Sequence, residues 1–392
     1  MKKLLLILLS CLLVISLVGC GGDNNKEDVD TSDTADAVTE TPSDDEPSEE
    51  DEKKDPAADA KEITVKVNST TENIRFFGER EPANENYFTC DHAASGFEMK
   101  VKTVGGKLGI RITTSGNIYF RVWIDGVAQK APNNGSDYFS ILGSRLLEIN
   151  DIPDGEHTLR VLRVSDGTDT AQIYAATFKG EQLALDVSDK YFVEFLGDEM
   201  TSGNMLGEGR DDVTKAYSYV AADKLDVDRA ICTYENAGLG TENAFDLYGA
   251  AAFERSADMI VVNVGKYDLA AKLGADGFIA KYKELIKQIK LSNGQTCKIV
   301  CLMTLDSEEY NAAIKEMIDD LGGGKYGYYY LESQVKTNET LTVSQHAKVA
   351  DELSAYIAQI KDATVDILKL EVENVGAGES LGYNSEEWKP VA

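Results

Sequence analysis

From residue 63 to about 184 the chain alternates apolar and polar positions on a period of two, punctuated by Gly and Asn. Ile63-Thr-Val-Lys-Val67, Phe97-Glu-Met-Lys-Val101, Leu108-Gly-Ile-Arg-Ile112, Ile118-Tyr-Phe-Arg-Val-Trp-Ile124 and His157-Thr-Leu-Arg-Val-Leu-Arg-Val164 read as half-buried strands. Asp125-Gly126 and Asp154-Gly155 are turn dipeptides at strand ends. Many short strands with little helical period predict an all-β antiparallel sandwich.

After Lys190 the texture changes. Short apolar runs at 191–196, 230–233, 259–264, 298–303 and 326–331 are separated by helical stretches at 213–225, 244–256, 277–291, 307–321 and 345–360. Apolar strands alternating with amphipathic helices predict an α/β domain whose five-stranded parallel sheet is covered on both faces. Ligands of such sheets bind at the carboxyl ends of the strands. The loops at 197–203, 235–240 and 265–268, with the loop before His346, therefore form the candidate rim.

The first residues have a different purpose. Met1-Lys2-Lys3 precedes an apolar run from Leu4 to Val18 and then Gly19-Cys20. A basic start, an apolar stretch and small residues make a secretory signal. The run is too short for the roughly 20 residues a spanning helix needs. Leu17-Val18-Gly19-Cys20 resembles a bacterial lipobox, which implies cleavage before Cys20 and lipid attachment to its sulfur. The protein is thus expected on the bacterial cell surface, meeting the membrane only through that anchor.

Charge divides the chain further. Residues 21–62 hold 17 Asp or Glu against 4 Lys, nearly half of the formal −29. Such a segment has little to bury and repels itself, so it is expected to act as an extended tether. The acidic balance argues against nucleic acid, because backbone phosphate needs clustered Lys and Arg. The expected organisation is signal 1–19, lipidated Cys20 and linker 20–62, sandwich 63–186, α/β domain 187–364 and a tail 365–392. No element is assigned to that tail, which contains Trp388.

Cysteine and histidine usage narrows the chemistry. Cys297 and Cys301 lie four apart in a strand, about 13 Å at the usual rise, which is too far for a disulfide. Without a CxxC and with 3 His, no metal or other cofactor is expected. Buried free thiols are expected at Cys90, Cys232, Cys297 and Cys301. Gly322-Gly-Gly-Lys325 lacks the upstream Gly and following Ser or Thr of a phosphate loop.

Ordered motifs over about 72–362 resemble the SGNH (GDSL-type) hydrolases, and more closely the carbohydrate esterases of family two. In the first domain they are Asn73-Ile-Arg-Phe-Phe-Gly78, Tyr119-Phe-Arg-Val-Trp-Ile-Asp-Gly126 and Ile152-Pro-Asp-Gly-Glu-His-Thr-Leu159. In the second they are Val193-Glu-Phe-Leu-Gly-Asp198 with Thr201 and Gly203, Ala216-Tyr-Ser-Tyr219, Asp258-Met-Ile-Val-Val-Asn-Val-Gly265 and Phe278-Ile-Ala-Lys-Tyr-Lys283. The resemblance implies an N-terminal jelly roll, a flavodoxin-like three-layer α/β domain and removal of acetyl groups from plant polysaccharides.

It also implies where catalysis should sit. The family serine follows Gly-Asp at the end of the first parallel strand, and that position is Glu199 here. A carboxylate attacks an acyl carbon only to give an anhydride, and it repels a developing oxyanion. The family's oxyanion Asn is replaced by Tyr267 in Gly265-Lys-Tyr-Asp268, while Gly238 keeps the second oxyanion position. His346 matches the catalytic histidine, but Val343 stands where the resemblance places its acid partner. An ion pair between Glu199 and His346 is one expectation for that corner. Ser202 and Thr201 lie within the turn and are poor substitute nucleophiles. Lys266 is either a surface charge or a ligand contact, and His157 and His92 are expected to be structural or uninformative.

The leading expectation is a surface lipoprotein with esterase architecture and a degenerate site, binding a polysaccharide or a partner. Two others stay open: an active polysaccharide O-acetyl esterase with rearranged residues, and an interaction lipoprotein without a sugar ligand.

Overall fold

The computed structural model describes residues 60–78, 84–207, 209–234, 236, 238–240 and 255–367. The expected signal, Cys20, nearly all of the linker, all but the last two residues of the helix expected at 244–256, and most of the tail lie outside the described residues.

The N-terminal half is an eight-stranded antiparallel sheet: β1 (Glu62–Lys66), β2 (Ile74–Phe77), β3 (Phe88–Cys90), β4 (Gly96–Ile124), β5 (Val127–Ala128), β6 (Phe139–Asn150), β7 (Gly155–Arg163) and β8 (Ala171–Leu183). β4 takes in three of the strands expected from the sequence. Its pairing shifts register between Thr103 and Leu108, opposite β8, and between Thr113 and Asn117, opposite β6. Gly105, at φ +81°, and Gly116 lie in those two intervals, where the chain changes direction. β7 consequently pairs with both ends of β4, with Val161 opposite Phe97 on one side and Val122 on the other. The period-two pattern then sorts the side chains. Phe97, Met99, Ile110, Ile112, Phe120 and Val161 share one core, whereas the next residue on β7, Leu162, joins the core of the C-terminal half.

The C-terminal half is a parallel sheet of five strands: β9 (Phe192–Asp198), β10 (Asp228–Tyr234), β11 (Met259–Asn263), β12 (Lys298–Met303) and β13 (Tyr328–Glu332). Their spatial order is β10-β9-β11-β12-β13. Every residue of β9, β11 and β12 is buried, because helices cover both faces. One face carries α1 (Tyr217–Leu225); the other carries α3 (Ala275–Asn293) and α4 (Glu308–Asp320), after a short α2 (Lys266–Ala270). The last helix, α5 (Val343–Ile360), packs beside α1.

Several boundaries differ from the sequence reading. The expected helix at 213–225 is a 3₁₀ turn, Val213–Lys215, followed by α1, because Ala216 is extended at φ −72° and ψ 149°. α2 falls in an expected loop, because five residues are too few to show a period. Tyr326 belongs to a 3₁₀ turn, Gly323–Tyr326, and β13 starts only after Gly327, whose φ of +79° breaks the backbone direction. Cys90, Cys232, Cys297 and Cys301 are buried free thiols, as expected.

Both halves lie in one compact unit. The fully buried Asp212 joins them, accepting from the Tyr138 hydroxyl at 2.7 Å with Lys215 Nζ at 3.5 Å and Arg121 at 3.7 Å.

Candidate active-site rim

Strand order places the rim. β9 is followed by a crossover to β10 on one side, whereas β11 lies on its other side, so the carboxyl ends of β9 and β11 flank the point where connections diverge. That is where open parallel sheets bind ligands. Glu199 directly follows β9, and Lys266 and Tyr267 open α2 just after β11.

The turn after β9 is tightly built. A Cβ on Gly197 would stand 2.2 Å from Thr201 Oγ1 and 2.6 Å from the Asn263 carbonyl, so only glycine fits there. The Asp198 carbonyl accepts from Thr201 N at 2.9 Å, and its side chain accepts from Met200 N at 3.0 Å. Burial, with the neighbouring Glu199 charge, pushes the Asp198 carboxyl up to about 7, while Lys266 pulls the other way.

Glu199 is held from three sides. Its Oε1 accepts from the Tyr267 hydroxyl and pairs with Lys266 Nζ at 3.3 Å, and its Oε2 accepts from Asn236 N at 3.3 Å. Burial pushes this carboxyl up, but the Tyr267 hydroxyl, its own N–H and the Lys266 ammonium together hold it below its ordinary value. Lys266 thus spends its charge inside the rim, with Nζ also 5.1 Å from the Tyr267 ring centre.

The loop that carries Gly238 is tied to Asp268. Asp268, fully buried, accepts from Leu239 N at 2.8 Å and Gly240 N at 2.6 Å, so those two amides face a carboxylate. Gly238 packs on the same carboxyl; a Cβ there would stand 3.0 Å from it. Burial raises the Asp268 pKa against the pull of those amides. The Tyr267 hydroxyl donates to Glu199 rather than into open space.

His346 is not in this arrangement. Thr342 caps α5 and forms a capping box with Gln345, so the helix begins before His346 and turns it onto the buried face. His346 is fully buried and stacks on Tyr217 at 5.7 Å; its Nδ1 accepts from Tyr217 N at 3.1 Å. The neutral ring therefore carries its proton on Nε2, which has no partner. No hydrogen bond or ion pair joins His346 to Glu199, so the expected ion pair is replaced by Glu199–Lys266. The loop from β13 to Thr342 contains neither His nor Asp.

Burial also pulls the His346 imidazole down to about 4. As pH falls from about 6.5 toward 4, the unfolded chain takes a proton that the folded chain refuses. Stability from this residue is therefore present above pH 6.5 and is lost through that window, by roughly 3 kcal/mol. Urea unfolding of the wild type and His346→Gln at several pH values checks this. The variant should show a shallower loss between pH 6.5 and 4.5, and parallel curves would refute it.

The other sequence candidates have local roles. Thr201 and Ser202 are fully buried; Thr201 Oγ1 bonds the Tyr217 hydroxyl at 2.8 Å, and Ser202 Oγ donates to Asp166 at 2.6 Å. His157 links Asp125 and the Pro153 carbonyl at the strand turns, at 2.7 and 2.9 Å. Two roles on the rim have no sequence signal: that of Asp268, which lies in an expected rim loop but acts through contacts nearly 30 residues away, and that of Asp166, which comes from the N-terminal half. Among the described residues no three His, Cys, Asp or Glu side chains converge on a metal position.

No protein-family model and no curated protein sequence matches the chain. Solved structures do match. A family-two carbohydrate esterase from Clostridium thermocellum in complex with cellohexaose superposes with a TM-score of 0.63 at 17% identity, covering 73% of this chain and 98% of that one. The fold is that of the family-two carbohydrate esterases. Another, from Cellvibrio japonicus, gives 0.63 at 20% identity over 77% of this chain and 99% of its own. An acetyl xylan esterase from the rumen bacterium Butyrivibrio proteoclasticus gives 0.62 at 14%, covering 76% and 98%. The parallel half accordingly has the SGNH-type fold.

Proposed function

We propose that this chain is a catalytically silent carbohydrate-esterase-like protein that binds a polysaccharide through the rim around Glu199. The observation that carries the reading is the state of Glu199. The nucleophile position holds a carboxylate already bound by Lys266, Tyr267 and the Asn236 amide. With His346 buried elsewhere, acyl transfer has neither an attacking group nor a base in reach. The retained two-part architecture supports a binding role, since a structure of the same fold holds cellohexaose. In this reading the antiparallel half is a jelly roll, and Cys20 with the acidic linker anchors the protein to the outside of a bacterial membrane.

Affinity electrophoresis tests the binding half. Gels containing glucomannan, xylan or hydroxyethylcellulose should retard the wild type relative to a blank gel. Equal mobility in all of them overturns the reading and favours an interaction protein without a sugar ligand.

A further inference from the structure

The loop after β7 is anchored by an unusual device. Arg163 is fully buried, and its guanidinium donates to four backbone carbonyls: Ser165 at 2.9 Å, Cys90 at 3.0 Å, Asp169 at 2.5 Å and Gly167 at 3.1 Å. Three of these belong to the loop itself, so the arginine sets its shape. The loop's own side chain, Asp166, crosses to the C-terminal half. Its Oδ2 accepts from Ser202, in the turn after β9, and from Thr233, near the end of β10. Ser202 Oγ also lies 3.1 Å from the Glu199 carbonyl, so one hydroxyl separates Asp166 from the residue at the nucleophile position.

Only half of this carboxylate is used. Asp166 is half-buried, and among the described residues both of its hydrogen bonds end on Oδ2, with none to Oδ1. A half-buried carboxylate with one oxygen fixed by two hydroxyls and the other without a described partner, at the carboxyl end of a parallel sheet, is an oriented acceptor. Saccharide hydroxyls are the donors it suits, because charge-assisted O–H···O⁻ bonds are about twice as strong as neutral ones.

We propose that Asp166 is a ligand-contacting residue supplied to the rim by the N-terminal half, accepting hydroxyl hydrogen bonds from a saccharide. This rests on the polysaccharide reading above. It makes the antiparallel half part of the binding site, and Arg163 the residue that positions its loop.

Asp166→Asn separates this role from a purely structural clamp. The Asn carbonyl oxygen can still accept from Ser202 and Thr233, but the Oδ1 position becomes an amide donor without charge. Calorimetric titration of the full chain with cellohexaose, xylohexaose and mannohexaose is the measurement, alongside Tm. The expected result is wild-type binding to at least one of them. Asp166→Asn should then bind about five- to tenfold more weakly with Tm unchanged, whereas Asp166→Ala should lose both affinity and Tm. Wild-type affinity in Asp166→Asn overturns the inference while leaving the polysaccharide reading intact. No binding by the wild type overturns both.

Discussion

Arg163→Leu lowers the folding stability by about 3–5 kcal/mol. Its guanidinium is fully buried and satisfies four backbone carbonyls. Truncation strands the buried Ser165 and Cys90 carbonyls, whereas Gly167 and Asp169 are exposed to water, and each buried polar group left unpaired costs about 1–3 kcal/mol. Relief from burying a cation offsets part of that loss, since burial already depresses the Arg163 pKa. Arg163→Lys should recover only a fraction, because three donors on a point-like ammonium cannot span the same four acceptors. Urea unfolding gives the answer. A Leu variant within about 1 kcal/mol of wild type would show that water satisfies these carbonyls and that the loop needs no such anchor.

Glu199→Ser is expected to gain no esterase activity. The substitution restores the hydroxyl but nothing that activates it. A general base is worth about 10²–10⁴ in rate, and one oxyanion donor about 10²–10³. His346 is a neutral ring buried against Tyr217, and the Leu239 and Gly240 amides are bound to Asp268. Removing the Glu199 charge also leaves Lys266 without its partner, an ammonium facing the new serine rather than a base. Initial rates with 4-nitrophenyl acetate should match the buffer blank from pH 6 to 9. A rise of a hundredfold over wild type would mean that a base reaches this position after all.

The scaffold was legible because burial imposes its own periods. β7 alternates between two cores, so Val161 and Leu162 announce themselves on a period of two. β9, β11 and β12 are buried on both faces and read as unbroken apolar runs. Glu199 was legible for a related reason, since the Gly197-Asp198 turn that precedes it tolerates little variation.

The rest depended on contacts the sequence does not order. The resemblance puts His346 on the rim as the family histidine, yet Thr342 and Gln345 form a capping box that starts α5 at Val343, two residues before the expected start at 345. The Thr-x-x-Gln spacing was the available signal, and it turns His346 inward. Lys266 pairs with a residue 67 positions away, and Asp166 with hydroxyls 36 and 67 positions away. Neither has a periodic pattern to reveal it.

One measurement addresses binding and silence together. Proton NMR of an acetylated glucomannan oligosaccharide, incubated with the wild-type chain, reports ligand contact through line broadening and hydrolysis through free acetate. The predicted result is broadened sugar and acetyl resonances with no acetate above the protein-free control after a day. Acetate that accumulates in proportion to wild-type protein, and disappears with Glu199→Gln, would contradict the central claim.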